Sequence, residues 1–163
     1  MICQKLEKIS DFEDLKNQVI SIIDQHGPFS TQIMCQNLGK DVDDWQEGTG
    51  KLDLLDVKKE EKYSFINPSI KGSLIEKYIL LYRGFRSRIM IMNDHSCYSV
   101  HRDFTKRIHI PIRTNPHAWM LWPKNNICVN MEEGYSYLVD TTKEHAFMNG
   151  SDEKRIHLMM CVK

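Results

Sequence analysis

The second half of the chain is built from short runs of residues that favour β-strands. Eight such runs follow one another from Arg86 onward, each rich in apolar, β-branched or aromatic side chains: RSRIMIM, CYSVH, RIHIPI, AWMLW, ICVNM, YSYLV, HAFMN and RIHLMMCV. Turn-forming sequences such as TNP, PKNN, EEG and NGSDE separate several of them. Short strands at regular spacing are typical of a β-sandwich or barrel. The sequence therefore predicts a mainly β fold over residues 85–163.

The first half of the chain is predicted to contain helices. Residues 11–27 have the apolar stripe of an amphipathic helix, with Ser10 as its N-cap and Glu13 completing a capping box. A second helix is predicted over 69–82, and a short strand over 29–36. The two helices should cover one outer face of the β region.

These elements predict one domain over residues 1–163. Residues 1–84 form a helical and irregular supporting region, and residues 85–163 form the β core. Residues 37–64 are polar and contain several glycines, which predicts a long loop. Such a loop either contributes to the site or merely connects its neighbours.

The composition excludes several classes of protein. Hydrophobic residues make up 41% of the chain and charged residues 27%, which argues against a disordered chain. The 22 basic and 22 acidic side chains balance, whereas proteins that bind nucleic acid usually carry a basic excess. No apolar run is long enough to span a bilayer, and no secretory signal pattern is present. We therefore expect a cytoplasmic protein with reduced cysteines and no nucleic-acid or membrane partner.

Two histidines and one aspartate in the β region form a candidate metal site. His101 and Asp103 close the CYSVH strand in a His-x-Asp pattern, which places both side chains on one face of an extended segment. His145 begins a later strand and could complete the set. Two histidines and one carboxylate leave three open positions on an octahedral ion, which is the facial triad of non-heme Fe(II) oxygenases. Arg155 begins the last strand, and its planar guanidinium suits a carboxylate ligand near this metal.

Each of these residues also has a less specific explanation. A single His-x-Asp pattern is common, and Arg155 could pair with Asp152 or Glu153 on the surface. The same three ligands could hold zinc in a hydrolase, with Glu144 as the nearby carboxylate, although on a strand it would point away from His145. A non-catalytic cupin-like binding module is a third possibility. The order of the four residues along the chain favours the oxygenase site.

The same motifs resemble a known family. The stretch from RSRIMIM through YSVHRDFTKRIHIPI to EEGYSYLVDTTKEHAFMNGSDEKRIHLMMCV is similar to the aspartyl/asparaginyl β-hydroxylases, and most of all to small bacterial members that hydroxylate free L-proline. The resemblance covers residues 85–163. It implies a double-stranded β-helix, also called a jelly roll or cupin-like fold, with flanking helices. It also implies an enzyme that uses Fe(II), O2 and 2-oxoglutarate.

The resemblance implies roles for individual residues as well. His101, Asp103 and His145 match the iron ligands. Arg155 matches the arginine that holds the distal carboxylate of 2-oxoglutarate. Two further residues match a family pair near the 1-carboxylate of this cosubstrate: Arg107 and His109.

One position departs from the family pattern. Met90 stands where the branch with a complete triad has a serine that touches the cosubstrate. Arg155 must then be supported by a different residue. Asn149 matches the family's His-x-x-x-Asn pattern and is expected to be a structural partner in its strand.

Together, the triad and the resemblance imply hydroxylation of an unactivated C–H bond in an amino acid or an amino-acid residue. Succinate and CO2 would be the co-products, and ascorbate would support activity. The prime substrate would be a small amino acid or a peptide. Three residues are candidates for contacting it at the mouth of the site: Tyr98, Arg102 and, from the predicted loop, Trp45.

Overall fold

The computed structural model of the chain describes residues 1–27, 30–52 and 58–163. Within these ranges the α-helices are α1 (Phe12–His26), α2 (Lys58–Glu61) and α3 (Leu74–Leu81). The strands, in chain order, are β1 (Cys3–Lys8), β2 (Gln32–Met34), β3 (Gln36–Asn37), β4 (Phe65–Ile66), β5 (Phe85–Met92), β6 (Ser96–Cys97), β7 (Lys106–Arg113), β8 (Ala118–Trp122), β9 (Ile127–Val129), β10 (Tyr135–Val139), β11 (Ala146–Asn149) and β12 (Arg155–Val162). Short 3-10 helices cover Pro68–Ile70 and Pro123–Asn125.

Two antiparallel sheets pack against each other and give the chain the predicted jelly-roll fold. The larger sheet has six strands in the order β1-β10-β7-β12-β5-β2, and the smaller has four in the order β6-β11-β8-β9. β3 and β4 pair separately. Side chains from both sheets, among them Met92, Met120, Tyr137 and Phe147, pack into one apolar cluster. The space between the sheets is therefore partly core, and the remainder holds the cavity described below.

The central strands of the larger sheet send apolar and polar side chains to opposite faces. Period-two alternation places Ile89 and Ile91 of β5 on the outer face, which α1 and α3 cover as predicted. The outward residues of β7 and β12 are likewise apolar: Ile108, Ile110, Ile112, Ile156, Leu158, Met160 and Val162. From the helices, Leu15, Val19 and Ile75 are fully buried, and each such aliphatic side chain contributes roughly 1.5–3 kcal/mol. The inner face of the same strands is left to arginine, histidine and methionine.

The N-terminal region differs from the prediction in two places. Nothing in the sequence pattern predicts β1, an edge strand on β10, because most of its residues are exposed. The predicted capping box at Ser10 is wrong, since the N-cap residue of α1 is Asp11. The Asp11 carboxylate accepts hydrogen bonds from Lys77 and Tyr78 of α3 instead, which ties the two helices together.

Other secondary-structure elements are shorter than predicted. α3 begins at Leu74 because the Ser73 hydroxyl accepts a hydrogen bond from the Glu76 amide at 3.2 Å and caps the helix there. The predicted strand 29–36 is divided between β2 and β3, and its residue 29 lies outside the described residues. The predicted loop 37–64 contains α2, and its residues 53–57 lie outside the described residues. None of the helices in the described part of the chain is long and apolar enough to cross a membrane.

Candidate metal centre and cosubstrate cavity

Three candidate metal ligands meet beside the smaller sheet. His101 and Asp103 lie between β6 and β7, and His145 lies directly before β11. The backbones of His101 and His145 exchange hydrogen bonds of 3.0 and 2.9 Å, which forms an antiparallel bridge beyond the β6–β11 ladder. The Asp103 amide donates to the carbonyl of Thr141 at 2.9 Å. As a result, one ligand atom from each of the three side chains lies within 4.8 Å of the others.

Hydrogen bonds orient both imidazoles so that Nε2 faces the metal position. Nδ1 of His101 lies 2.7 Å from the carbonyl oxygen of Ser99, and Nδ1 of His145 lies 2.9 Å from that of Lys143. A carbonyl oxygen only accepts hydrogen bonds, so we assign the proton of each neutral ring to Nδ1 and the lone pair to Nε2. Metal-binding histidines are typically fixed in this way by a partner on the other ring nitrogen.

Asp103 presents a buried carboxylate oxygen to these two rings. Oδ1 accepts from Nη2 of Arg107 at 2.7 Å, whereas Oδ2 has no hydrogen-bond partner within the described residues and lies 3.4 Å from Nε2 of His145. A carboxylate that faces imidazole lone pairs is repelled by them unless a cation lies between. The three residues therefore fit a bound metal ion.

The candidate ligands lie in the wall of a cavity of about 720 Å³ between the two sheets. This volume is typical of a small-molecule site. The opposite wall is the inner face of β5, β7 and β12, and its buried cations are Arg86, Arg88, Arg107 and Arg155. Among the described residues, the carboxylates in the lining are Glu60 and Asp103. The cavity is therefore suited to anionic ligands.

Arg155 is held in this cavity by groups that leave its charge uncompensated. Its Nε donates to Nε2 of His157 at 3.0 Å, and its Nη1 lies 3.7 Å from the sulfur of Met92. The guanidinium carbon lies 4.0 Å from the centre of the Phe147 ring. Arg155 is 3% exposed, and no ion pair joins it to an acid in the part of the chain that is described. Burial lowers the pKa of Arg155 to about 9, so the side chain remains cationic at neutral pH.

Arg107 and His109, the predicted pair near the 1-carboxylate, lie in the same wall. Arg107 is engaged by Asp103, and Nδ1 of His109 lies 3.2 Å from Nδ1 of His157. Nitrogens of the Arg155 guanidinium face both ring nitrogens of His157, Nε at 3.0 Å from Nε2 and Nη2 at 2.9 Å from Nδ1. The buried Nε2 of His109 has no hydrogen-bond partner among the residues described. Burial, followed by the nearby arginines, holds the pKa of His109 well below its usual value, so the ring is neutral.

Comparison with known proteins gives the family of the chain. Residues 73–163 match the aspartyl/asparaginyl beta-hydroxylases, which is more than half of the chain. The chain belongs to the aspartyl/asparaginyl β-hydroxylase family. It is therefore a 2-oxoglutarate-dependent hydroxylase, as the sequence resemblance implies. No curated protein matches the chain.

Solved structures similar to this β-hydroxylase include other hydroxylases. A viral collagen prolyl hydroxylase from Paramecium Bursaria Chlorella virus-1 has a TM-score of 0.55 at 10% identity, covering 100% of this chain and 91% of that chain. Its 2-oxoglutarate complex has a TM-score of 0.54 at 8% identity, with coverages of 100% and 97%. A Pseudomonas putida prolyl-4-hydroxylase has a TM-score of 0.51 at 9% identity, with coverages of 99% and 92%. These likenesses confirm the predicted fold class.

The residues predicted to contact the substrate of the β-hydroxylase are not all at the cavity. Tyr98 and Arg102 line it, and Arg102 also pairs with Glu144 at 3.1 Å. Trp45 lies elsewhere: its ring stacks on His26 with a centroid distance of 4.4 Å and packs against the core beneath the helices. Contrary to the prediction, Trp45 does not line the cavity. Burial of its large apolar ring against the core is more favourable than exposure to solvent in a loop.

Asn149 has the structural role that the motif predicts. Its amide nitrogen donates to the carbonyls of Asn93 and Glu153 at 2.9 and 2.7 Å, and its Oδ1 accepts from Asn115 at 3.0 Å. These bonds tie the turn between β11 and β12 to neighbouring segments. Asn149 thereby helps to place Arg155, the first residue of β12.

Sequence analysis missed two arginines of the cavity, Arg86 and Arg88. Both lie on the inner face of β5, where they alternate with Ser87 and Ile89 in RSRIMIM. Arginine is almost never fully buried unless it is paired. Charged residues at period two in an otherwise apolar strand were therefore the signal for a polar inner face.

Proposed function

We propose that the chain holds Fe(II) through His101, Asp103 and His145, and 2-oxoglutarate through Arg155, to hydroxylate an unactivated C–H bond of an amino acid or peptide. The observation that carries this proposal is the buried, unpartnered Oδ2 of Asp103 beside two oriented imidazoles. It shares a cavity with the buried Arg155, which has no acid partner in the described part of the chain. Two histidines and one carboxylate leave three positions on an octahedral ion, enough for a bidentate cosubstrate and one further ligand.

The side chains of the cavity would bind and orient, while the metal and 2-oxoglutarate together would supply the oxidising chemistry. Arg155 would bind the distal carboxylate of 2-oxoglutarate through charge-assisted hydrogen bonds. Nε2 of His109 and the guanidinium of Arg107 would face the 1-carboxylate. Succinate and CO2 are the expected co-products, and ascorbate is expected to support activity.

A zinc hydrolase with the same ligands is less well supported, because it needs a general base near the metal. Glu144 does not line the cavity, and it pairs with Arg102 and Lys124 at 3.1 and 2.8 Å. Glu60 does line the cavity, but it is engaged by Arg86. Neither carboxylate is placed to activate a water molecule.

Metal and cosubstrate binding under anaerobic conditions test the proposal. Protein reconstituted with Fe(II) should develop a charge-transfer absorption band when 2-oxoglutarate is added, and should release succinate in air with ascorbate. His145→Ala should lose the band. His117→Ala removes an exposed imidazole outside the cavity and should keep it. Protein that retains zinc but forms neither the band nor succinate contradicts the proposal.

A further inference from the structure

Arg88 is a second buried arginine of the cavity, and no acid among the described residues pairs with it. It lies on the inner face of β5, opposite Met159 of β12 and Met34 of β2. Its side chain lines the cavity, and the residue is 3% exposed. Nε contacts the sulfur of Met90 at 3.2 Å, and the buried Nη1 has no hydrogen-bond partner within the described ranges. The guanidinium therefore has unused donors directed at the cavity.

The two acids in the described lining of the cavity are engaged elsewhere. Glu60 binds Arg86 at 2.5 Å through one oxygen and the Thr105 hydroxyl at 3.0 Å through the other. Asp103 binds Arg107. Arg86 also donates to the carbonyls of Gly48 and Gly50, so its donors are satisfied by the protein. Arg86 and Arg88 thus share one strand face but have opposite environments.

An unpaired buried charge is unfavourable, so a folded protein retains one where a ligand needs it. Burial, followed by repulsion from Arg107 and Arg86, lowers the pKa of Arg88 to about 9, which leaves it cationic at neutral pH. Under the proposed function, one carboxylate of 2-oxoglutarate goes to Arg155 and the other to the metal. Arg88 pairs with Met159, four residues along β12 from Arg155, so the Cα positions of the two arginines lie roughly 14 Å apart. Within the described residues, Arg88 is left without an anion.

We propose that Arg88 binds a carboxylate of the prime substrate, so that the substrate is an acid rather than a neutral residue within a peptide. This inference rests on the proposed function and specifies its substrate class. The carboxylate comes either from the α-carboxyl group of a free amino acid or from an acidic side chain. A prolyl residue inside a peptide has neither group, so it offers no carboxylate to Arg88.

The stability of two arginine variants tests whether Arg88 is kept for a ligand. In the protein without metal or cosubstrate, Arg88→Met should leave the thermal midpoint unchanged or raise it by about 2–4 °C, because it removes an unpaired buried charge. Arg86→Met is the matched control on the same face of β5. It should lower the midpoint, because Glu60 loses its cation. A loss in Arg88→Met as large as that in Arg86→Met would show that Arg88 is structural and overturn the proposal.

Acid and amide pairs test the chemistry that Arg88 recognises. Fe(II)- and 2-oxoglutarate-loaded protein is given L-proline or L-prolinamide, L-aspartate or L-asparagine, and blocked tripeptides with a central Asp or Asn. At least one acid should accelerate succinate release, and its amide partner should be about 10- to 100-fold less effective. If L-proline accelerates succinate release and L-prolinamide does not, Arg88 recognises an α-carboxylate. If the only difference is between the Asp and Asn tripeptides, Arg88 recognises a side-chain carboxylate.

Arg88→Gln should abolish this acceleration while the 2-oxoglutarate absorption band keeps its affinity. Arg113→Gln, at the exposed end of β7 and outside the cavity, should retain both. The proposal fails if every amide serves as well as its acid partner, if none of the acids accelerates succinate release, or if Arg88→Gln abolishes the band. Failure of the proposed function is distinct, because wild-type protein would then show no band at all.

Discussion

The Nε atom of Arg155 lies 3.0 Å from Nε2 of His157, two residues further along β12 and on the same face of the strand. His157 in turn contacts His109 through Nδ1. The His157 imidazole therefore contacts both Arg155 and His109 and helps to fix the two side chains. Because Met90 stands where the family pattern has serine, we expect Arg155 to be supported by a different residue. His157 makes that contact.

The first prediction concerns the charge of Arg155. Arg155→Ala should weaken the binding of 2-oxoglutarate by about 10- to 100-fold, because a charge-assisted contact contributes roughly 1.5–3 kcal/mol. Arg155→Lys should recover only part of the affinity, since lysine offers a point charge rather than a planar fork. The 2-oxoglutarate affinity of each variant is measured by titrating the Fe(II) protein with 2-oxoglutarate and following the absorption band. Unchanged affinity in Arg155→Ala would remove this residue from the cosubstrate site.

The second prediction concerns His157 as a positioning residue. His157→Leu should weaken 2-oxoglutarate binding by about 2- to 12-fold, because His157 acts on the cosubstrate only through the position of Arg155, while the affinity for metal stays unchanged. His157→Gln keeps a polar group near Arg155 and should restore part of the loss. Parallel titrations of metal and cosubstrate separate the two effects. A variant that weakens both equally would indicate general damage to the fold.

The third prediction concerns the metal ligands. His101→Ala and His145→Ala should each abolish tight Fe(II) binding and turnover, because each removes one of three protein ligands. The folded state should survive, since the core lies elsewhere. Metal content and circular dichroism provide the readouts, with His117→Ala as the control. Unfolding of both variants alongside a folded metal-free wild type would contradict the peripheral position of the site.

The fourth prediction is a pH dependence of stability in the metal-free protein. Burial holds the pKa of His109 and of His157 well below 6.5 in the folded state, so the unfolded chain takes up protons first as the pH falls. The free energy of unfolding should therefore decrease below about pH 6.5, by about 1.4 kcal/mol per pH unit for each histidine. Urea denaturation across this range measures the slope. His157→Gln should make the slope shallower, and an equal slope in both proteins would exclude His157 as a source.

The candidate site was more accessible to sequence reasoning than its surroundings. The ligand set depends on local geometry, because His-x-Asp shares one face of an extended segment whatever the rest of the fold does. The partner of Arg155 depends on which strand neighbours bring side chains together, and a single sequence does not specify this register. β1 escaped prediction for a related reason, since an edge strand with exposed side chains has no hydrophobic period.

The bridge between His101 and His145 would make the proposed metal centre a cross-link between two segments of the chain. The β6–β11 ladder ends at Cys97 and Met148, and in the described structure the Tyr98 amide and this bridge extend it. A few backbone hydrogen bonds hold an exposed segment weakly, so it should open locally in the metal-free protein. An ion bound to both imidazoles opposes that opening. Amide hydrogen exchange over residues 98–103 should then slow when metal is added, so that one wall of the cavity becomes rigid as the enzyme is loaded.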